Sequence, residues 1–154
     1  MNNKSFYYFI KPTLKLSLAG IFIAGFTAIL FFFVQTGLTY LGVECSMAWI
    51  ILWIVTTIGA VASPIIFIRK LKKSMERGYD LTSRDITIFN LIEYSFIQCS
   101  LAALVSSSKT LCYTTNGQNG LQFVFTAWIA IPILITLSLL FDQIRKIKYL
   151  EVRS

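Results

Sequence analysis

The sequence predicts an all-α polytopic membrane protein, a four-transmembrane-helix bundle whose N-terminus and C-terminus are both cytoplasmic. Three observations predict it. The chain of 154 residues is 56% hydrophobic and only 14% charged, whereas soluble domains carry about 25% charged residues. Four long apolar runs follow one another along the chain, and nearly all the basic residues flank these runs on one predicted side of the membrane.

The four apolar runs comprise residues 16–34, 47–68, 86–105 and 121–141. Each has the roughly 20 residues that a helix needs to cross a hydrocarbon core about 30 Å thick. The connecting segments are too short to bury a core of their own, so residues 1–154 are predicted to form a single membrane domain. Two alternatives are a cleaved signal peptide for the first run, which lacks a convincing cleavage site, and a re-entrant third run.

Local signals mark two helix starts. Pro12 suits the first turn of a helix, where its missing N–H costs nothing. The stretch "TSRD" places Thr82 and Asp85 at the spacing of a capping box, in which a hydroxyl and a carboxylate bond each other's backbone N–H groups. We therefore expect the third helix to begin just after Thr82.

The basic residues predict the orientation. Thirteen of the fourteen lysines and arginines occur in the N-terminal segment, the middle connection and the C-terminal tail, and only Lys109 lies elsewhere. Because positive segments stay in the cytoplasm, residues 35–46 and 106–120 are predicted to be the outer loops. This placement accounts for the net charge of +7 without nucleic acid as a partner. The predicted location is a bacterial inner (plasma) membrane.

The middle connection contains a basic segment, residues 69–80, that we expect to lie along the cytoplasmic headgroups. Each Lys or Arg near an anionic lipid surface contributes about 1 kcal/mol of attraction. The alternative is a solvated loop whose charges only set the topology. The predicted anionic-lipid contacts are Arg69, Lys70, Lys72, Lys73 and Arg77.

Glu93 lies seven residues into the third apolar run, which at helical rise is roughly 10 Å below the membrane boundary. A carboxylate at this depth costs at least about 2 to 3 kcal/mol, so Glu93 is predicted to face the protein interior. No Lys, Arg or His occurs within any of the four runs. Glu93 must therefore be protonated, hydrogen-bonded to neutral groups, or in contact with water or a cation.

Helical spacing predicts an intramembrane polar site around Glu93. Asn90 and Ser100 lie on the same stripe of the helix, with Tyr94 and Gln98 to one side. Polar residues of the second and fourth runs are candidates to complete the site: Thr56, Thr57, Ser63, Thr136 and Ser138. Two interpretations stay open. The site responds to protons or cations, or it is an interhelical hydrogen bond worth about 0.6 kcal/mol that holds the helices together.

Small residues occur four apart in the first two runs, for example at Gly20 and Ala24 and at Ala60 and Pro64. Such spacing lets helices approach closely in lipid, so the first and second spans are predicted to pack against each other. A homodimer face is the alternative.

The chain has three cysteines. Cys45 and Cys112 fall in the two predicted outer loops, and Cys99 lies within the third run. In an oxidising periplasm a disulfide between Cys45 and Cys112 would tie the two loops together. The alternative is two unrelated thiols, because one Cys per loop without His does not favour a metal site.

The sequence contains no signature of a catalytic site, so we expect no enzyme and no cofactor. Two functions remain. The first is a non-enzymatic membrane protein that binds, blocks or assembles another membrane component, in the manner of immunity or exclusion proteins. Its partners would be the lipid bilayer and another membrane protein. The second is a small proton- or cation-coupled transporter in which Glu93 is the coupling carboxylate.

Overall fold

The computed structural model describes residues 7–79, 81–105 and 119–151, and these residues form four helices without a strand. Helix α1 comprises Tyr7–Tyr40, α2 comprises Cys45–Glu76, α3 comprises Ser83–Val105 and α4 comprises Asn119–Glu151. Three stretches are long and apolar enough to cross a membrane, namely α2, α3 and Phe125–Ile147 of α4. Among the described side chains of α1, the apolar stretch Ile29–Tyr40 is a shorter one. The chain is therefore a membrane-like helical protein.

The helices extend well beyond the apolar runs. Helix α2 has 32 residues and continues through Arg69, Lys70, Lys72 and Lys73, so most of the basic segment is the end of a helix. Helix α1 comprises Tyr7–Tyr40 and contains Pro12 beyond its first turn, so the prediction of a first-turn proline is wrong. Hydropathy predicts only the part of a helix that lies in lipid. The helix continues into the polar segment beyond it because Lys, Arg and Glu are good helix formers.

Two glycines end helices in the left-handed conformation. Gly42 has φ +89° in the short α1–α2 connection, and Gly78 has φ +75° in the α2–α3 connection. Glycine adopts such positive φ angles without strain because it has no Cβ. The second turn is held further by Ser74, whose hydroxyl donates to the Tyr79 carbonyl at 2.6 Å. The two connections are thus tight turns, shorter than the predicted loops.

The predicted capping box at the start of α3 is confirmed. The backbone N–H of Asp85 donates to the Thr82 hydroxyl at 3.3 Å, and the backbone N–H of Thr82 donates to the Asp85 carboxylate at 3.2 Å. Asp85 also forms an ion pair with Lys70 of α2, with 2.8 Å between Nζ and Oδ1. The start of α3 is therefore tied both to its own backbone and to the end of α2.

Helices α2 and α3 run antiparallel along a long contact. Its successive pairs are Thr57 with Ser100 and Phe67 with Phe89. Between these pairs Gly59 lies so close to Phe96 that an added Cβ would come within 2.7 Å of the ring. Gly59 therefore faces α3. Helices α1 and α2 also meet, at Phe31 and Trp49, but the side chains of the predicted small face of α1, at Gly20 and Ala24, lie outside the described ones. The bulky Phe96 ring needs the space that a glycine leaves, which spacing within one helix does not reveal.

Four phenylalanines, one from each helix, meet at one end of the molecule and form what we call the aromatic cluster. Its members are Phe9, Phe67, Phe89 and Phe141, all of them buried. The rings of Phe67 and Phe89 are stacked with 4.1 Å between centroids, and Phe141 lies 5.1 and 5.3 Å from them. Every lysine and arginine side chain that the structure describes lies toward this end, which we call the basic end.

The opposite end has a second core where α1 and α2 meet. Phe31 and Trp49 pack edge to face with 5.0 Å between ring centroids, beside Ala102 and Ala103 of α3. A middle core of Tyr94, Ile97 and residues of α4 lies between the two ends. Large apolar side chains such as Phe33, Ile58 and Trp128 cover the outside of the helices. Such a surface suits lipid and not water.

Candidate polar site in the helix interior

Glu93 is buried within the helices, with 1% of its surface exposed. The hydroxyl of Ser63 on α2 is hydrogen-bonded to its carboxyl group. The second oxygen, Oε2, has no hydrogen-bond partner among the described residues. The prediction that Glu93 faces the interior is confirmed. Oε2 of Glu93 is therefore available to a proton, a water molecule or a cation.

The nearest cation along this contact is already paired. Lys70 lies seven residues after Ser63 on α2, which is roughly 10 Å at helical rise, and it bonds Asp85 at 2.8 Å. The environment of Glu93 is therefore made of neutral groups, as the sequence predicts.

A second polar group joins three helices next to the aromatic cluster. Asn90 of α3 donates from Nδ2 to the Thr13 hydroxyl of α1 at 2.8 Å, and the Thr13 and Ser138 hydroxyls are 2.5 Å apart. The Thr13 hydroxyl also donates to the carbonyl of Phe9 at 2.9 Å. A hydroxyl has one proton, so Ser138 must be the donor to Thr13. We call Thr13, Asn90 and Ser138 the hydroxyl–amide network.

The structure divides the predicted site. Asn90 bonds α1, whereas Glu93 and Ser100 bond α2, where Ser100 meets Thr57 with 2.8 Å between the hydroxyls. Tyr94 and Gln98 are buried, and Tyr94 lies in the middle core against α4. All five predicted residues lie on the inward side of α3. They contact three different helices because 100° between successive residues spreads the inward side of α3 over its neighbours.

The candidate partners on the other spans divide in the same way. Ser63, Thr57 and Ser138 bond α3 or the network, as described. Thr56 donates to the Leu52 carbonyl of its own helix at 2.7 Å, and the exposed Thr136 donates to the Pro132 carbonyl at 2.8 Å. Including Thr136 in the polar interior is therefore wrong. Its hydroxyl is satisfied by its own helix, as Ser and Thr side chains commonly are.

Five buried polar residues among the described ones were not predicted from the sequence: Thr13, Gln35, Ser74, Thr126 and Asp142. Thr13 precedes the first apolar run, outside the predicted span. Asp142 follows the fourth run directly, has 2% of its side chain exposed and pairs with Lys146 at 2.8 Å. The Asp–Lys spacing of four residues was the available signal for that ion pair. The sequence does not indicate that Thr13 is buried, because its burial depends on contacts with α3 and α4.

The remaining site predictions are partly outside the described residues. Cys112 lies there, so its disulfide with Cys45 stays a prediction; among the described cysteines Cys99 is a free thiol. Cys45 accepts a hydrogen bond from Gln35 at 3.2 Å. Within the described ranges no group of three or more His, Cys, Asp or Glu side chains converges as metal ligands would. The predicted lipid contacts Arg69, Lys72, Lys73 and Arg77 are exposed at the basic end.

No protein family, curated protein or solved structure matches this chain.

Proposed function

We propose that this chain is an inner-membrane protein with four spanning helices and cytoplasmic termini, and that it binds, blocks or assembles another membrane component. The proposal places the basic end at the cytoplasmic surface, following the positive-inside rule. The opposite end, with the α1–α2 connection, then faces the periplasm and presents the binding surface.

The fourth span would be α1. Phe9 of α1 lies in the aromatic cluster at the basic end, and Phe31 contacts Trp49 at the opposite end. The 22 residues between them correspond to roughly 33 Å of helix, close to the thickness of a hydrocarbon core of about 30 Å. A helix that reaches both ends beside α2, α3 and α4 supports four crossings.

The aromatic cluster is the observation that carries the functional proposal. One phenylalanine from each helix fills the interior at the basic end, with neighbouring rings 4.1 to 6.4 Å apart. The buried polar groups next to it are bonded mainly to one another. A translocation path needs a route between the helices, and the aromatic cluster fills the space between all four of them at the basic end. A helical body that is filled in this way and has an apolar exterior supports binding to another membrane component.

The binding surface is proposed at the end of α1 and the turn that follows it. Tyr40 is 93% exposed and Leu41 is 79% exposed. Exposed aromatic side chains at a membrane boundary serve as interfacial anchors or as binding hot spots. A disulfide between Cys45 and Cys112 would hold this surface against the second outer loop and reduce the entropy lost on binding.

Site-specific photocrosslinking tests the proposal. A benzophenone amino acid replaces Tyr40 in one variant and Tyr79, a 53% exposed tyrosine at the basic end, in the matched control. Irradiation of cells should give a discrete adduct with one other membrane protein from position 40 and none with that protein from position 79. An adduct with a second copy would instead indicate a homodimer. Lipid adducts alone from position 40 would contradict the proposal.

The second candidate function, a small proton- or cation-coupled transporter, is favoured by one observation, the unpartnered Oε2 of Glu93. Glu93→Gln keeps the shape and the hydrogen-bonding capacity of the side chain but cannot release a proton. In vesicles with a pH gradient and an internal pH-sensitive dye, a transporter should lose its proton flux in this variant. An interaction protein should show no flux in either form and keep its Tyr40 adduct. A proton flux that is present in the unmodified chain and absent in Glu93→Gln would show that the protein is a transporter.

A further inference from the structure

A cleft opens between α1 and α3 at the basic end. Its volume is about 530 Å³, within the range of about 300 to 1,000 Å³ that is typical of ligand pockets. Its lining includes Lys11, Lys15, Leu16 and Ala19 of α1 and Ser83 and Thr87 of α3. This cleft lies apart from Glu93 and from the proposed binding surface, so it requires its own explanation.

Lys11 and Lys15 give the cleft its charge. They lie four residues apart, hence one above the other on α1, and both are exposed. None of the described residues that line the cleft carries a carboxylate. The lysines that form ion pairs in the described part of the chain are Lys70 and Lys146. Two ammonium groups side by side without a carboxylate repel each other, and an anion between them would remove that repulsion.

The walls of the cleft are held in place from behind. Thr13, between the two lysines in sequence, points into the protein and accepts the hydrogen bond from Asn90 of α3 at 2.8 Å. On the other wall, Thr87 donates to the Ser83 carbonyl at 2.9 Å and the capping box secures the first turn. The spacing between the lysines and α3 is therefore set by buried contacts, which prepares the cleft for a ligand.

The cleft changes from charged to apolar along α1. Lys11 and Lys15 come first, and Leu16 and Ala19 follow toward the middle of the helix, with Leu18 exposed nearby. An anionic phospholipid has the same order of groups, with a phosphate at the membrane surface and acyl chains below it. An inorganic phosphate would match only the first part.

We propose that this cleft binds one anionic phospholipid, with its phosphate between Lys11 and Lys15 and an acyl chain against Leu16 and Ala19. The site differs from the general attraction expected of the exposed basic residues 69–77, because the ligand is held by a shaped cleft and not only by the surface potential. The inference depends on the basic end lying at the membrane surface and not on the identity of a protein partner.

The experiment measures binding of spin-labelled phosphatidylglycerol to the whole chain in phosphatidylcholine vesicles, with spin-labelled phosphatidylcholine as the reference lipid. Lys11→Gln combined with Lys15→Gln should lower the relative association constant about thirtyfold, the effect of removing two lysines near an anionic lipid. The control, Lys72→Gln combined with Lys73→Gln, removes the same charge from two of the predicted general lipid contacts on α2, outside the cleft. It should lower the constant at least threefold less than the double variant in the cleft. Equal losses in the two double variants would overturn the proposal.

Two further variants keep the test decisive. Lys11→Arg with Lys15→Arg retains both charges and should retain binding, which excludes misfolding as the cause of a loss. Ala19→Trp fills the apolar part without changing charge and should also reduce binding severalfold. Unchanged binding in Ala19→Trp, or displacement of the lipid by millimolar inorganic phosphate, would overturn the assignment to a phospholipid.

Discussion

The two ends of the molecule are constructed differently. At the basic end, all four helices contribute a buried phenyl ring, and the hydroxyl–amide network and two ion pairs lie close by. At the opposite end, the core consists mainly of Phe31, Trp49 and two alanines, and Tyr40 and Leu41 project outward. The difference indicates that the basic end secures the arrangement of the helices. The opposite end is left with exposed side chains that are available for binding.

The largest expected effect is at the aromatic cluster. Phe89→Ala removes a ring that stacks on Phe67 and touches Phe141, and the resulting cavity should cost about 3 to 5 kcal/mol. The control is Phe33→Ala, because the Phe33 ring is 72% exposed. The free energy of unfolding, measured by titration from mild detergent into dodecyl sulfate, should fall far more for Phe89. Similar losses of unfolding free energy in the two variants would contradict the expectation that buried rings stabilise the protein more than exposed ones.

The next largest effect concerns the proposed disulfide. If Cys45 and Cys112 are bonded, Cys45→Ser should lower the free energy of unfolding by about 2 to 4 kcal/mol, because the unfolded chain is no longer constrained. In the denatured, unreduced protein a maleimide polymer should label one cysteine, and after reduction three. Cys99→Ser is the control, since its thiol is free. Labelling of three cysteines before reduction would rule out the bond.

The hydroxyl–amide network should contribute less than the aromatic cluster. Thr13→Val preserves shape but leaves Asn90 and Ser138 without their shared partner, which should cost about 1 to 3 kcal/mol. The same change at the exposed Thr136, which bonds only its own helix, should cost less than about 0.5 kcal/mol. The unfolding titration compares the two variants. If Thr13→Val leaves the free energy of unfolding unchanged, a water molecule replaces the lost hydroxyl and the network does not stabilise the fold.

The smallest effect is expected at the ion pair between Lys70 and Asp85. Its side chains are 56% and 32% exposed, and exposed pairs contribute about 0.2 to 1 kcal/mol. A double-mutant cycle of Lys70→Gln and Asp85→Asn should give a coupling energy in this range that falls with added salt. Because Asp85→Asn also disturbs the capping box, Asp85 alone should cost more than Lys70 alone. A coupling energy larger than the loss of stability in Thr13→Val would show that this surface ion pair, and not the buried network, stabilises the basic end.

Features that depend on neighbours along the chain could be predicted from the sequence. The helical class, the capping box of Thr82 and Asp85 and the inward direction of Glu93 all follow from local spacing and from the cost of polar groups in lipid. Contacts between helices could not be predicted in this way. Gly59 of α2 faces α3, where the Phe96 ring occupies the space above it. No spacing within α2 indicates which helix provides that ring.

By itself, the sequence determined that the protein is helical, that lipid suits most of its surface, and that its charges are gathered in a few segments. These properties depend on composition and on periods of three to four residues. Only the tertiary structure decided that Asn90 bonds Thr13 while Glu93 bonds Ser63, and that four phenyl rings meet. Residues far apart in the chain become neighbours only when the helices pack, and packing depends on the shapes of all of them together.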